Sequence, residues 1–169
     1  PNSAFRIKFL FAQILLLPSI LKNMPDTNLP SRRLPAEWEP QSAVQLTFPH
    51  DKTDWADVLD EVLPCFIRIA ETISHYEKVL IVCQDEALVR PLLHRAVQEN
   101  LLFAAIDSND TWARDHGGIT IFENGNLVVL DFVFNGWGLK FPADKDNLIT
   151  RALYTKGVFS AGLRHGGIV

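Results

Sequence analysis

The spacing of apolar and polar residues predicts strands and helices that follow one another along the chain. Residues 43–48 alternate apolar and polar side chains, as a half-buried strand does, while 79–83 and 101–106 are continuous apolar runs typical of buried strands. Apolar positions three and four residues apart predict a helix over 55–76, and a second helix is predicted over 86–99. The order β-α-β-α-β indicates a sheet covered by helices.

Two residues bear on where the first predicted helix begins and whether it is straight. Asp54 precedes it and is suited to cap its N-terminus. Pro64 lies inside the helical pattern, where it removes a hydrogen-bond donor, so we expect a kink or a joint there.

The pattern changes after residue 118. Two apolar runs, 119–122 and 127–133, flank a segment that contains Asn-Gly, the strongest short-range signal of a β-hairpin. Helical spacing returns over 145–156, and Gly157 follows in the position of a C-terminal cap. We therefore predict an α+β fold of βαβ elements with inserted hairpins, not a plain doubly wound sheet.

The chain divides into three segments. Residues 1–23 contain a basic start and a short apolar stretch, as signal peptides do, but no small-x-small cleavage site follows. We favour an extraneous upstream segment with the natural start at Met24, and a genuine signal peptide is the alternative. Residues 24–41 are rich in proline and predict an extended N-terminal arm, and 42–169 form the folded domain.

Composition narrows the classes of partner. A net charge of -4 in 169 residues does not suggest a nucleic acid as partner and is compatible with a cationic ligand. The apolar stretch before Met24 is too short to span a membrane as a helix. Cys65 and Cys83 lie in apolar runs, which predicts buried, reduced thiols and a cytoplasmic protein; a genuine signal peptide would make it secreted.

Two segments concentrate side chains that carry chemistry. Residues 109–118 place two carboxylates, an arginine, a tryptophan, a histidine and two glycines between two strands, where binding residues often lie. The alternative is a hydrogen-bonded turn in which Asp110 or Asp115 caps backbone amides. In residues 131–141, two glycines bracket Trp137, which lines either a binding site or a core.

Three ordered motifs resemble one family. They are Leu34-Pro-Ala-Glu-Trp-Glu-Pro40, Asn109-Asp-x-Trp-x-Arg-Asp-x-Gly117 and Asp131-Phe-x-Phe-Asn-x-Trp-Gly138. They are similar to motifs of the agmatine deiminases, whose family includes the Porphyromonas-type peptidylarginine deiminases. The resemblance covers nearly everything after Met24 but only about half of a typical member, so we expect an N-terminal fragment.

The resemblance implies a fold and a reaction. The fold is the pentein fold, a propeller-like ring of five ββαβ-type units, of which this chain would form an incomplete ring. The reaction hydrolyses a guanidinium to a ureido group and ammonia without a metal or organic cofactor, by attack of a cysteine. Agmatine would give N-carbamoylputrescine, on the route to putrescine. The partner would be a small cationic guanidine, and a homo-oligomer stays an open option.

The same resemblance assigns roles to site residues. Asp115 would hold the guanidinium, whose paired N–H donors match a carboxylate, and Trp112 would wall the slot. Arg114 either pairs with Asp110 as framework, which we favour, or holds a substrate carboxylate. Trp38 would position the arm. The other supporting residues are Asn109, Asp110, His116, Gly117, Asn135 and Trp137.

The resemblance also implies what this chain lacks. The chain ends at His165-Gly-Gly-Ile-Val169, and we expect the family's Glu-Gly-Gly motif, with its catalytic histidine, to begin immediately after Val169. The nucleophilic cysteine would also lie beyond Val169, because neither Cys65 nor Cys83 matches its position or context. The catalytic residues are therefore unknown from this sequence, and we expect the chain as given to be inert.

Other functions remain as alternatives. They are a peptidylarginine or arginine deiminase and a non-catalytic guanidinium-binding module. We do not assign His116 as the general base, because the family's proton-transferring residue falls in the later motif. A metal-dependent hydrolase built on Asp110, Asp115 and His116 is disfavoured because further ligands are missing.

Overall fold

Two four-stranded sheets form the fold in a computed structural model, which describes residues 31–169 and the backbone of Gln13–Leu15. The first sheet has the order β1-β3-β4-β5, with β1 Gln13–Leu15, β3 Ala43–Thr47, β4 Lys78–Cys83 and β5 Leu101–Ala105. The second has the order β2-β6-β7-β8, with β2 Arg32–Arg33, β6 Ile119–Glu123, β7 Asn126–Val133 and β8 Gly162–Ile168. The helices are α1 Leu59–Ser74, α2 Glu86–Val89, α3 Ala113–His116, α4 Gly136–Leu139 and α5 Asp146–Thr155.

The first sheet is parallel along β3, β4 and β5, and β1 pairs antiparallel with β3. All five residues of β3 are buried, so the prediction of a half-buried strand is wrong. Val44 and Leu46 pack in a core with α1, while Gln45 and Thr47 lie on the other face, in register with Leu80 and Val82 of β4. A strand between two neighbours, covered on both faces, buries its polar positions as well.

Strand β5 is less buried than its apolar sequence predicts. It lies at the edge of the sheet, and Leu102 and Ala105 are exposed. The prediction of a buried strand is correct for β4, which has a neighbour on each side, and correct only in part for β5.

Both predicted helices of the first half are shorter than expected. A 3-10 turn, Ala56–Val58, precedes α1, and Asp54 caps neither element. Helix α1 continues through Pro64, and the break in helical geometry lies before it, at Val58. Pro64 lacks the N–H that would donate to the Asp60 carbonyl, and α1 continues across this missing hydrogen bond. The segment predicted as a helix over 86–99 consists of α2 and the 3-10 turns Arg90–Leu93 and Gln98–Asn100, interrupted at Pro91.

The second sheet confirms the predicted hairpin and adds a strand. Asn124 and Gly125 both have positive φ, +50° and +78°, as a two-residue turn between β6 and β7 requires. Helix α5 then leads to β8, which pairs in parallel with β7 and was not predicted from its glycine-rich sequence. Gly157, at φ +70°, ends α5 as predicted. The order β6, β7, α5, β8 makes one ββαβ-type unit, and no closed ring is present among the described residues.

The described part of the arm is held against β6 by charge. Arg32 donates to Glu123 at 2.7 Å, and Arg33 donates to Glu39 at 2.6 Å while stacking over the Phe122 ring at 4.2 Å. The remaining residues of the predicted upstream segment and of 24–30 lie outside the described residues, so the division of the chain stays a prediction. Among the residues that the structure describes, no helix is long and apolar enough to cross a bilayer.

Candidate active site

The candidate site lies where the chain leaves the carboxyl ends of parallel strands, the edge at which open α/β sheets bind ligands. Two segments meet there, 48–58 after β3 and 106–118 after β5. His50 accepts the Lys52 backbone N–H at Nδ1, so its Nε2–H donates to the buried Ser108 hydroxyl at 3.2 Å. The Trp55 indole N–H donates to the Thr111 hydroxyl at 2.8 Å. These contacts fix the second segment against the first.

Asp110 is a hydrogen-bond acceptor at the centre of the second segment. Its carboxylate accepts the Thr111 backbone N–H at 2.8 Å, the Trp112 indole N–H and the Asp54 backbone N–H. Burial raises the pKa of Asp110, and these donors oppose the rise. The turn alternative considered for Asp110 therefore describes its contacts correctly: it orders the loop that leads into α3.

Asn109 joins the same loop to α5. Its side-chain oxygen accepts the backbone N–H groups of Lys145 at 2.7 Å and Asp146 at 3.1 Å, which are donors left open at a helix start. Its amide donates to Asp144 at 3.1 Å. Burial raises the pKa of Asp146 to about 6, although its carboxylate accepts the Asn109 and Asp110 amides.

A cleft of about 230 Å³ opens beside this loop. Three carboxylates and a set of aromatic rings line it: Asp54, Asp110, Trp112, Phe134, Trp137, Phe141, Pro142 and Asp146. None of these lining residues is a lysine or an arginine. Acidic groups and ring faces both favour a cation over an anion.

Helix α4 is a left-handed turn that presents Trp137 to the cleft. Gly136, Trp137, Gly138 and Leu139 have φ of +63°, +57°, +74° and +65°. The Asn135 side chain accepts the Gly138 N–H at 2.8 Å, and the Trp137 ring meets Phe134 edge to face at 6.1 Å. Each non-glycine residue in this conformation costs about 1–2 kcal/mol. Trp137 thus lines the cleft in a strained turn and is 66% exposed, so it is not a core residue, and its role in binding stays a prediction.

Asp115 lies in α3, three residues after Trp112, whose carbonyl accepts the Asp115 backbone N–H at 2.9 Å. Its side chain is half-buried, and burial raises its pKa. Among the described residues, no N–H group donates to its carboxylate, and Asp115 does not line the 230 Å³ cleft. Within the part of the chain that the structure describes, it is a partly desolvated acid without a cationic partner.

Comparison with known proteins places this geometry in a family. Residues 33–166 match the Porphyromonas-type peptidyl-arginine deiminases. The chain belongs to this family. It is 28% identical over 127 residues to the agmatine deiminase of Pseudomonas aeruginosa, a match that covers 72% of this chain and 34% of that protein. The chain thus spans about a third of the length of the curated relatives it matches.

Solved structures of deiminases share the fold. The agmatine deiminase of C. jejuni with substrate bound is similar over 84% of this chain and 42% of its own, with a TM-score of 0.74 and 31% identity. The "Putative Arginine Deiminase" of Porphyromonas gingivalis is similar over 82% of this chain and 40% of its own, with a TM-score of 0.71 and 49% identity. The mixed α/β architecture is therefore that of the deiminases.

Two of the residues assigned from the deiminase motifs have unexpected surroundings. Arg114 is exposed and makes no ion pair with the described residues, so the expected pair with Asp110 is wrong: neutral donors already surround that carboxylate. Trp38 is 88% exposed, and the contacts that hold the arm to β6 are made by Arg32 and Arg33 instead. Its positioning role stays a prediction.

His116 is buried in the deiminase fold and unsuited to proton transfer with solvent. Burial lowers its pKa to about 4, and neither ring nitrogen has a hydrogen-bond partner among the described residues. It is followed by Gly117 and Gly118, both buried where α3 turns into β6. At Gly118 an added Cβ would collide with Val129 and Thr150.

Of the two cysteines, one agrees with the prediction of a buried thiol and one does not. Cys65 is exposed, since one residue along a helix turns the side chain about 100° away from the buried Phe66. Cys83 is buried as predicted, and burial raises its pKa to about 11. Among the described residues, no group of three or more His, Cys, Asp or Glu is arranged to hold a metal ion.

Val169, which follows β8, lies beside the third motif. Its backbone N–H donates to the Val133 carbonyl at 2.9 Å, and its carbonyl accepts the Asn135 N–H at 2.8 Å. The Val169 side chain is exposed and carries no group that could act on a substrate. The expectation that the nucleophilic cysteine and the catalytic histidine lie beyond Val169 concerns no described residue, so it stays a prediction.

The sequence analysis gave no role in the site to several residues that line it or hold it together: Asp54, Trp55, Thr111, Phe134, Phe141 and Asp146. In the sequence, Trp55 fits the apolar pattern of a helix and is interpreted as a core residue, and Asp54 is interpreted as a helix cap. No local signal distinguishes either of them from an ordinary core or cap residue. Asp146 stands at the start of a predicted helix, where an acidic residue is common. Its position therefore gave no reason to predict the hydrogen bonds that it accepts from the loop of residues 109–118.

Proposed function

We propose that this protein hydrolyses a guanidinium group to a ureido group and ammonia, with agmatine as the substrate and N-carbamoylputrescine as the product, in the synthesis of putrescine. The observation that carries the proposal is Asp115, a half-buried carboxylate one helical turn after Trp112, with no cationic partner among the described residues. A planar guanidinium supplies the missing partner, because its paired N–H donors match both carboxylate oxygens.

The chemistry then needs a nucleophile from elsewhere in the protein. The guanidinium carbon is a poor electrophile because its charge is delocalised, so it must be held rigidly beside a thiolate. Cys83 is protonated and buried, and Cys65 lies on the outer face of α1. We infer that the cysteine and the proton-transferring histidine belong to the part of the deiminase length that this chain does not span.

Agmatine is preferred over arginine because the cleft beside Trp112 is lined by acids and by no lysine or arginine. A substrate with two cationic ends and no carboxylate suits that lining. One observation favours the alternative, an arginine or peptidylarginine deiminase: the exposed guanidinium of Arg114 has no ion-pair partner among the described residues and could bind a substrate carboxylate. The 49% identity to the Porphyromonas gingivalis protein points the same way.

The test is Asp115→Asn in the protein expressed from its complete gene. We expect kcat/KM for agmatine to fall by at least about 100-fold, since a charge-assisted contact in a dry site contributes several kcal/mol. Asp57→Asn, which changes an exposed acid on the first 3-10 turn, is the matched control and should keep normal activity. Normal ammonia release by Asp115→Asn would refute the role.

Substrate comparison separates the candidates. Wild type and Arg114→Gln are assayed on agmatine, arginine and an arginyl peptide. Under the agmatine proposal, Arg114→Gln keeps its activity on agmatine; a loss confined to arginine or the peptide supports the alternative. Binding of these guanidines without turnover of any would indicate a non-catalytic guanidinium-binding module.

We also infer the setting of the activity. The ββαβ-type unit of β6, β7, α5 and β8 supports a ring of such units around the site, and the predicted start at Met24 supports a cytoplasmic enzyme. Sequencing the N-terminus of the native protein tests the location: a mature chain that begins at Met24 agrees with it, and a processed signal peptide contradicts it.

A further inference from the structure

Trp55 lies outside all three motifs and yet contacts the central one directly. Its indole N–H donates to the Thr111 hydroxyl at 2.8 Å, and Thr111 is fully buried. Its ring lies 5.9 Å from the ring of Trp112, tilted by 35°. One side chain, 56 residues away in sequence, therefore holds two consecutive residues of the motif through a polar and an aromatic contact.

These two residues lead directly into the helix that carries the proposed guanidinium carboxylate. The Trp112 carbonyl accepts the Asp115 backbone N–H at 2.9 Å, so the start of α3 and the carboxylate move together. The neighbouring Asp54 amide donates to Asp110 and adds a second tie between the same segments. Displacing Trp55 would thus let the Trp112 ring turn relative to the backbone that carries Asp115.

We propose that Trp55 is a positioning residue of this deiminase: it fixes the ring plane of Trp112 and the register of α3, so that ring and carboxylate present a fixed slot for a guanidinium. The inference rests on the proposed function. Trp55 touches no substrate in this role, and it acts only through Thr111 and Trp112. A guanidinium is flat, so a tilt of the wall or a shift of the acid weakens its binding.

Two conservative variants of the complete protein test the hydrogen bond from both ends. Trp55→Phe keeps an aromatic ring and removes the donor, and Thr111→Val keeps the shape and removes the acceptor. Each should raise KM for the guanidine about 3- to 10-fold, the effect of one lost buried hydrogen bond, with a smaller change in kcat. The double variant should be no worse than the poorer single variant, because both lose the same bond.

Controls separate positioning from general destabilisation. Thr155→Val and Tyr76→Phe alter exposed side chains far from the loop and should leave KM unchanged. KM is measured well below the unfolding temperature of each variant. A purely structural role for Trp55 lowers the unfolding temperature and leaves KM at its wild-type value, and that result would overturn the proposal.

A spectroscopic experiment tests the positioning role without a substrate. Thr111→Val retains both tryptophans, so a change in its near-ultraviolet circular dichroism reports a new orientation of the Trp55–Trp112 pair, and Thr155→Val should show none. If wild type turns over no guanidine, the proposed function fails while this experiment still decides the positioning of Trp112. An unchanged Thr111→Val spectrum would overturn the positioning role whatever the activity.

Discussion

Asn109 and Asp146 each accept a hydrogen bond from the other's backbone amide. The Asp146 carboxylate accepts the Asn109 N–H at 2.6 Å, and the Asn109 side-chain oxygen accepts the Asp146 N–H at 3.1 Å. The exchange resembles a capping box, but its two partners are 37 residues apart instead of three. It joins the loop that carries the deiminase motif to the start of α5, and so to the second sheet.

Asn109→Ala should lower the free energy of unfolding by about 1–3 kcal/mol, because it removes the cap of α5 and leaves buried amides without acceptors. Urea unfolding of the complete protein measures the change. Asn126→Ala is the matched control, since that exposed side chain makes only a 3.4 Å bond to Asn124, and it should cost little. Equal losses in the two variants would contradict the role of the exchange.

His116 predicts a pH dependence of stability. Its folded pKa of about 4 lies below the ordinary value of 6.5, so the unfolded chain binds more protons between these pH values. Stability from the neutral imidazole is therefore complete above pH 6.5 and is lost as the pH falls toward 4, by up to about 3 kcal/mol. Asp146, with its pKa raised to about 6, has the opposite slope between 3.8 and 6.

Comparing wild type with His116→Gln separates the contribution of the imidazole from that of Asp146, because Asp146 is present in both proteins. The difference in unfolding free energy between wild type and His116→Gln should shrink or change sign as the pH is lowered from 7 to 4. His94→Gln removes an exposed imidazole and should track the wild type. Parallel curves for wild type and His116→Gln would exclude a buried neutral histidine.

Gly118→Ala should destabilise the protein by about 1–3 kcal/mol, the usual cost of overpacking a core. The new methyl group would lie 2.8 Å from the Thr150 methyl carbon and closer still to Val129. At Gly162 the nearest atom, on Val128, is 4.0 Å away, so Gly162→Ala is a control expected to be tolerated. Thermal unfolding compares the two, and similar unfolding temperatures would show that the backbone at Gly118 does not pack tightly against β7 and α5.

Leu139→Gly should leave stability unchanged or raise it by up to about 1 kcal/mol. Leu139 is 88% exposed and has φ +65°, so the change removes backbone strain and little packing. Leu148→Gly, at an exposed position inside α5, should instead cost about 1 kcal/mol. Urea unfolding distinguishes them, and a comparable loss in both variants would argue against a strained turn at Trp137.

Much of the fold is determined by signals that lie within a few residues. Asn124 and Gly125 produce the hairpin because both accept positive φ, and Gly157 ends α5 for the same reason. The apolar run of β4 forms a buried strand wherever a sheet can cover it. The spacing of the motif around Asp115 likewise identifies the family without coordinates.

Only the tertiary structure determined which strands, helices and side chains pack against one another. Gln45 and Thr47 are buried because β3 is covered on both faces, β8 is a strand because β7 offers it an edge, and Cys65 is exposed because α1 turns it outward. Trp55 contacts Thr111, 56 residues away in sequence, and Asn109 contacts Asp146, 37 residues away. Backbone preference is encoded locally, whereas a contact between distant residues depends on how whole elements pack, and no short stretch of sequence contains that information.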